Sequence, residues 1–154
     1  MANYNADTVG AGRAFMDNGG NSTCEYGITT PPIALALADT VNLVRVAGGT
    51  TLVELLVWNG DLDTGTTLQF SLGYKPCNTA SSTAAVPAYF AAAGQTTWQA
   101  AVLGSAPTRY AFVPITFAED MFIFATVGAA ATGVAASPTI TALARGKSVG
   151  VNAG

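Results

Sequence analysis

Thr67-Leu68-Gln69-Phe70-Ser71-Leu72-Gly73-Tyr74 alternates apolar and polar residues with a period of two, the pattern of a β-strand with one face in a core. Upstream, Thr40-Val41-Asn42-Leu43-Val44-Arg45-Val46 and Leu52-Val53-Glu54-Leu55-Leu56-Val57-Trp58 read as two more strands. Gly48-Gly49 turns the chain between them. Asn59-Gly60-Asp61-Leu62-Asp63-Thr64-Gly65 supplies the next turn, with Gly for positive φ and Asn and Asp for local side-chain hydrogen bonds. This succession across Asp39 to Tyr74 marks an all-β domain. The middle run is apolar on both faces apart from Glu54, which predicts a central strand covered on both sides.

Working outward, Tyr110 to Phe117 reads as one strand, with Pro114 placing it at an edge or a bulge. Glu119-Asp120 turns the chain into Met121 to Val127, and Thr139 to Arg145 is the final strand. With Ile33-Ala34-Leu35-Ala36-Leu37 counted, seven or eight strands are expected, at spacings typical of a sandwich or jelly roll. Val41, Leu43, Leu68, Phe70, Leu72, Phe112, Ile123 and Ile140 are the expected core of two antiparallel sheets packed face to face. Within the Ser-, Thr- and Ala-rich excursion from Lys75 to Thr108, one short helix is expected, over Val86 to Ala93 or over Thr96 to Leu103. The first 30 residues are rich in Asn, Gly and Asp and show no sustained period. They read as an extended arm ended by Pro31-Pro32, so the expected organisation is an arm over 1–32 and a jelly-roll-like β-sandwich over 33–154.

A chain of 154 residues suffices for one well-buried domain. Half of the residues are apolar and only 10% are charged, against roughly 25% in ordinary soluble domains. A surface so poor in charge is best kept in solution by covering it, which points to assembly, as a homo-oligomer or as neighbouring copies on a larger body. The net charge is −3, and Arg13, Arg45, Lys75, Arg109, Arg145 and Lys147 are scattered along the chain, so nucleic acid is not an expected partner. Met1 to Asp7 has neither a basic start nor an apolar centre, so no secretory leader is expected and synthesis in a cytoplasm is. The uncharged segment between Asp120 and Arg145 is long enough to span a membrane. Its centre, Gly128-Ala129-Ala130-Ala131-Thr132-Gly133, is weakly apolar, and Pro138 with Thr139 and Thr141 divides it into strands and a loop.

Little in the chain points to chemistry. There is no histidine, which removes Ser-His-Asp and Cys-His arrangements and the imidazole base. The close carboxylate pairs, Asp61 with Asp63 and Glu119 with Asp120, sit in turns, where acidic residues usually face water. Asp61-Leu62-Asp63-Thr64-Gly65 has the look of the start of a calcium loop, but Gly65 and Leu72 stand where an EF-hand needs ligands, which leaves only a looser cation site to weigh against a plain turn. Gly10-Ala11-Gly12 follows no strand, so it is not a nucleotide fingerprint. Cys24 and Cys77 lie outside any CxxC spacing and read as reduced, small apolar residues. No enzyme activity, metal or cofactor is expected. Trp58, Trp98, Tyr74, Tyr89 and Phe90 could form a sugar-stacking platform, although aromatics more commonly fill cores and subunit interfaces.

The order of residue types from about 35 to 145 resembles the structural proteins of tailed bacteriophages that decorate or cement the head. The resemblance is carried by Asp39 to Val46, the Gly48-Gly49-Thr50-Thr51 turn, the strand to Trp58, and Gly65-Thr66-Thr67-Leu68-Gln69-Phe70-Ser71-Leu72-Gly73-Tyr74, followed by an Ala-rich segment and further strands. It implies a jelly-roll-like sandwich on the outer surface of an icosahedral capsid in the virion, bridging subunits of the major capsid protein. Tyr4, Phe15 and Tyr26 of the arm, with Tyr89, Phe90 and Trp98, are the contact residues expected under that reading. The alternative is a head-fibre or receptor- and carbohydrate-binding module, which would display its aromatics to solvent.

Overall fold

The structure is a computed structural model that describes residues 1–5, 13–15, 22–31, 34–99, 106–133 and 138–148. The strands are β1 (Asn3–Asn5), β2 (Arg13–Phe15), β3 (Ser22–Thr29), β4 (Thr40–Val46), β5 (Thr50–Asn59), β6 (Gln69–Pro76), β7 (Val86–Gln95), β8 (Thr108–Tyr110), β9 (Ile115–Phe117), β10 (Met121–Ala129) and β11 (Ile140–Ser148). They form two sheets, ordered β1-β4-β10-β6-β7 and β2-β3-β11-β5-β8, with β9 also paired to β5. All pairings are antiparallel except that of β1 with β4. The fold is an all-β sandwich of jelly-roll-like form, with no helix among the described residues.

The period-two patterns place the inner faces. Val41, Leu68, Phe70, Leu72 and Ile123 have no exposed surface, Leu43 and Ile140 have almost none, and Phe112 packs against this core from its margin. Burying an aliphatic or aromatic side chain of this size stabilises by about 1.5–3 kcal/mol. Trp98, fully buried, stacks on Phe70 with ring centroids 3.8 Å apart.

One flank is closed by aromatic rings: Tyr74, Tyr89, Phe90, Phe112 and Phe117 meet edge-on or tilted at 4.8–6.5 Å, the arrangement favoured by their quadrupoles. The Tyr89 hydroxyl donates to the Val113 carbonyl at 2.9 Å, tying the edge of one sheet to the edge of the other. At the opposite flank β3 lies against β4, and the Thr29 hydroxyl donates to the Asn42 carbonyl at 3.2 Å.

Several expectations are corrected. Val86 to Ala93 is not a helix but most of strand β7, paired to β6 through Phe70↔Gln95, Leu72↔Ala91 and Tyr74↔Val86. Alanine has the highest helix propensity, but propensity is a small term, and pairing along the open edge of β6 outweighs it. Gly73 makes the pairing possible, because a Cβ there would lie 1.9 Å from the Val86 carbonyl oxygen. The second helix candidate begins with a turn over 97–98 and runs into residues outside those described. Tyr110 to Phe117 is two short strands end to end along β5, since Pro114 can donate no ladder hydrogen bond. The run around Leu35 crosses the end of the sandwich instead of forming a strand: Ala38 adopts φ 67°, Ala36 N–H donates to Asp39 Oδ2 at 3.0 Å, and Leu35 is buried.

The segment expected to be an arm is largely pinned where it is described. Ser22–Thr29 is a full strand, registered with β11 from Thr29↔Ile140 to Ser22↔Lys147. At the start of the chain, Ala2 N–H donates to the buried Asp39 at 2.6 Å, Thr40 N–H donates to the Ala2 carbonyl at 2.9 Å, and Asn42 donates to Asn5 Oδ1 at 2.6 Å. The uncharged segment between Asp120 and Arg145 contributes β10 and most of β11, and no helix of the described residues is long and apolar enough to cross a membrane.

Candidate interaction surfaces

The two carboxylate pairs were the sequence's main opening for chemistry, and both are committed to structure. Asp63 is fully buried. Its Oδ2 accepts from the amides of Thr67 and Leu68, each at 2.8 Å, and its Oδ1 from Gly65 at 3.0 Å, Thr132 N–H at 2.9 Å and the Thr132 hydroxyl at 3.0 Å. Burial is the largest single influence on this carboxyl and acts to raise its pKa. The amides of Leu68, Thr132, Thr67 and Gly65 together outweigh it and hold the group well below the usual carboxylate range. With its lone pairs taken by these bonds, the Asp63 carboxylate has none left for a cation. Asp61 serves the same loop, accepting from Asp63 N–H at 3.1 Å.

Glu119 accepts from the Ser81 hydroxyl at 2.5 Å and from Thr83, and these bonds lower its pKa. Asp120 pairs with Arg45 and accepts from Gly48 N–H at 2.8 Å. Both border an open cavity of about 480 Å³ lined also by Arg45, Cys77, Asn78 and Phe122. Burial pushes the Cys77 thiol up to about 11, a poor nucleophile at neutral pH. Cys24 and Cys77 are both free thiols, and no cluster of three or more metal-ligating side chains occurs among the described residues.

The expected contact residues separate. Trp98 and Phe90 are buried within the chain and cannot reach a partner; Tyr89 and Tyr74 belong to the same aromatic flank. Tyr4 packs on the chain's own core beside Asp39, where burial and that carboxylate raise its pKa. Phe15 lies on β2, with its side chain outside the described residues. Tyr26 is 40% exposed, on the outer face of the second sheet.

That face holds what the sequence reading missed. Pairing across β5, β11 and β3 aligns Trp58↔Thr141↔Ile28 in one row, Leu56↔Leu143↔Tyr26 in the next, and Glu54↔Arg145↔Cys24 in a third. The side chains at these positions point away from the core, because Leu55, Val57, Ala142 and Ala144 between them are buried inside. Arg109 of β8 stands opposite Leu56, and its Nε lies 3.3 Å from Glu54, which also accepts from Arg145 at 3.0 Å. The register shift at Arg145/Gly146 leaves Val53 as an extra residue, 43% exposed. Strand β5 is therefore central, but its outer face is not covered as its composition led us to expect. The available signal was that apolar outer positions in β5 coincide with Leu143 in β11.

No protein-family model and no curated protein sequence matches the chain. Among solved structures, a chain of the capsid of Ralstonia phage GP4 superposes with a TM-score of 0.69 at 21% identity, covering 98% of this chain and all of that one. A chain of the cyanophage Pam1 capsid asymmetric unit superposes with a TM-score of 0.57 at 17% identity, covering 90% of this chain and 91% of the other. At these identities the likeness is one of fold.

Proposed function

We propose that this chain is a structural, non-enzymatic virion protein that decorates the outer surface of an icosahedral bacteriophage head and cements it by bridging subunits of the major capsid protein. The observation that carries this reading is the end-to-end likeness of fold to chains of two phage capsids. The residue-type resemblance between Asp39 and Tyr74 points the same way, and so does a composition with only 10% charged residues.

The architecture suits the task. Two sheets locked at both flanks make a stiff plate, so little ordering entropy is lost on docking. A plate touching several capsid subunits makes each later contact effectively intramolecular, so modest individual contacts can brace a shell. Of the aromatics weighed for the carbohydrate-binding alternative, Trp98 and Phe90 are buried and Tyr74 and Tyr89 pack against each other, which leaves Trp58 alone of that set on an outer face.

Quantifying the protein by mass spectrometry in purified particles of the virus that encodes it tests the reading. A copy number of the same order as the major capsid protein is expected. A handful of copies would assign it to a fibre instead, and absence would remove it from the virion.

A further inference from the structure

We infer that the outer face of the sheet β2-β3-β11-β5-β8 is the surface laid on the shell, and that its counterpart is an acidic protein surface with an apolar centre. This inference rests on the cement reading and names the contact face and its chemistry.

A sandwich normally turns polar residues outward from each strand. Here Trp58, Ile28, Leu56, Leu143 and Tyr26 point outward in two consecutive rows across three strands. None of them is needed to fill the core, which lies on the other side of the sheet. Three strands about 4.8 Å apart and eight residues at about 3.3 Å each give a face on the order of 400 Å² before the short β8 and β9 and side-chain relief are counted. That is the scale of one side of a modest protein interface. The apolar part of this face is the two rows, in which Tyr26 is exposed and Trp58, Ile28, Leu56 and Leu143 are half-buried, and apolar side chains gathered in this way mark a contact site.

Charge selects the partner. The described residues of this face carry Arg109, Arg145 and Lys147 against Glu54, three cations and one carboxylate, on a chain whose net charge is −3. Glu54 is shared by two arginines, so a carboxylate from outside would complete the set. A second copy applied face to face would bring like charge against like charge, which disfavours self-pairing and favours an acidic partner. The other sheet offers a weaker case: Arg45 on its outer face is paired with Asp120, Lys75 lies over the Phe124 ring at 4.9 Å, and Val86 and Pro87 crowd Gly73.

The test adds purified protein back to particles assembled without it and measures bound protein by co-sedimentation at increasing salt. Leu143→Glu and the double variant Arg145→Glu/Lys147→Glu are expected to bind at least tenfold more weakly than wild type. Gln69→Glu, which adds the same single negative charge as Leu143→Glu but on the exposed outer face of the other sheet, is expected to bind normally. Wild-type binding should weaken as salt rises. The double variant changes exposed groups only, so it stands as the test if Leu143→Glu fails to fold. Wild-type and face variants binding alike, or binding indifferent to salt, would overturn the inference and leave the cement reading intact. Wild type that binds no particle would overturn that reading itself. A free dimer abolished by Leu143→Glu would give the face to a second copy and also overturn the inference.

Discussion

The Asp63 carboxylate bridges from the β5–β6 turn to the loop after β10, where it accepts both the amide and the hydroxyl of Thr132, at 2.9 and 3.0 Å. One side chain thus joins two loops 69 residues apart while also capping the amides that lead into β6. Asp63→Ala should leave four buried or half-buried amides without their acceptor and lower stability by about 3–5 kcal/mol, read by urea or thermal unfolding. A loss under about 1 kcal/mol would mean that the loops hold without it.

The same carboxylate sets a pH dependence. Its folded-state pKa lies below the unfolded value of about 3.9. The stabilisation is therefore fully present above that value and is lost as pH falls through the acid range below it. Melting temperatures from pH 6 down to pH 2 should fall more steeply for the wild type than for Asp63→Asn. Parallel curves would show that other carboxylates govern acid unfolding.

Gly73 lets β7 lie on β6. Gly73→Ala would place a methyl group 1.9 Å from the Val86 carbonyl oxygen, and the backbone must move to admit it. Destabilisation of about 3 kcal/mol or more is expected, with hydrogen exchange rising first in Val86–Gln95. Unchanged protection of that strand would contradict the close approach.

Truncations should divide the first 30 residues. Removing residues 2–5 deletes β1 and its bonds to Asp39, Thr40 and Asn42, at a cost of about 2 kcal/mol, and leaves a folded sandwich. Removing residues 1–30 takes β3 out of the second sheet and should abolish cooperative unfolding. A 31–154 fragment with a sharp transition would show that the first 30 residues are dispensable for folding.

The Cys77 thiol, raised to about 11 by burial against the opposing effect of Arg45, should alkylate more than about tenfold more slowly in the native protein at pH 7.5 than in urea. Equal rates would mean that the thiol is open to solvent.

Much of the fold was legible from local pattern. Thr40–Val46 coincides with β4, and the alternation around Phe70, Ile123 and Ile140 assigns their inner faces. Two segments misled. Ala-rich Val86 to Ala93 carries a helical preference that its place beside β6 overrides, and Ser22–Thr29 has too weak an alternation to announce a strand that only β11 completes. Asp63 looked like any turn carboxylate because its partners Thr67, Leu68 and Thr132 are assembled by the fold.

By itself, the sequence determined the β class, the identity of the principal strands and the poverty of chemical groups, because side-chain alternation and residue type are local properties of the chain. The contact face was decided by tertiary structure. Tyr26, Leu56 and Leu143 become neighbours only through the register of β3, β11 and β5, and register arises from long-range pairing that no single stretch of sequence encodes.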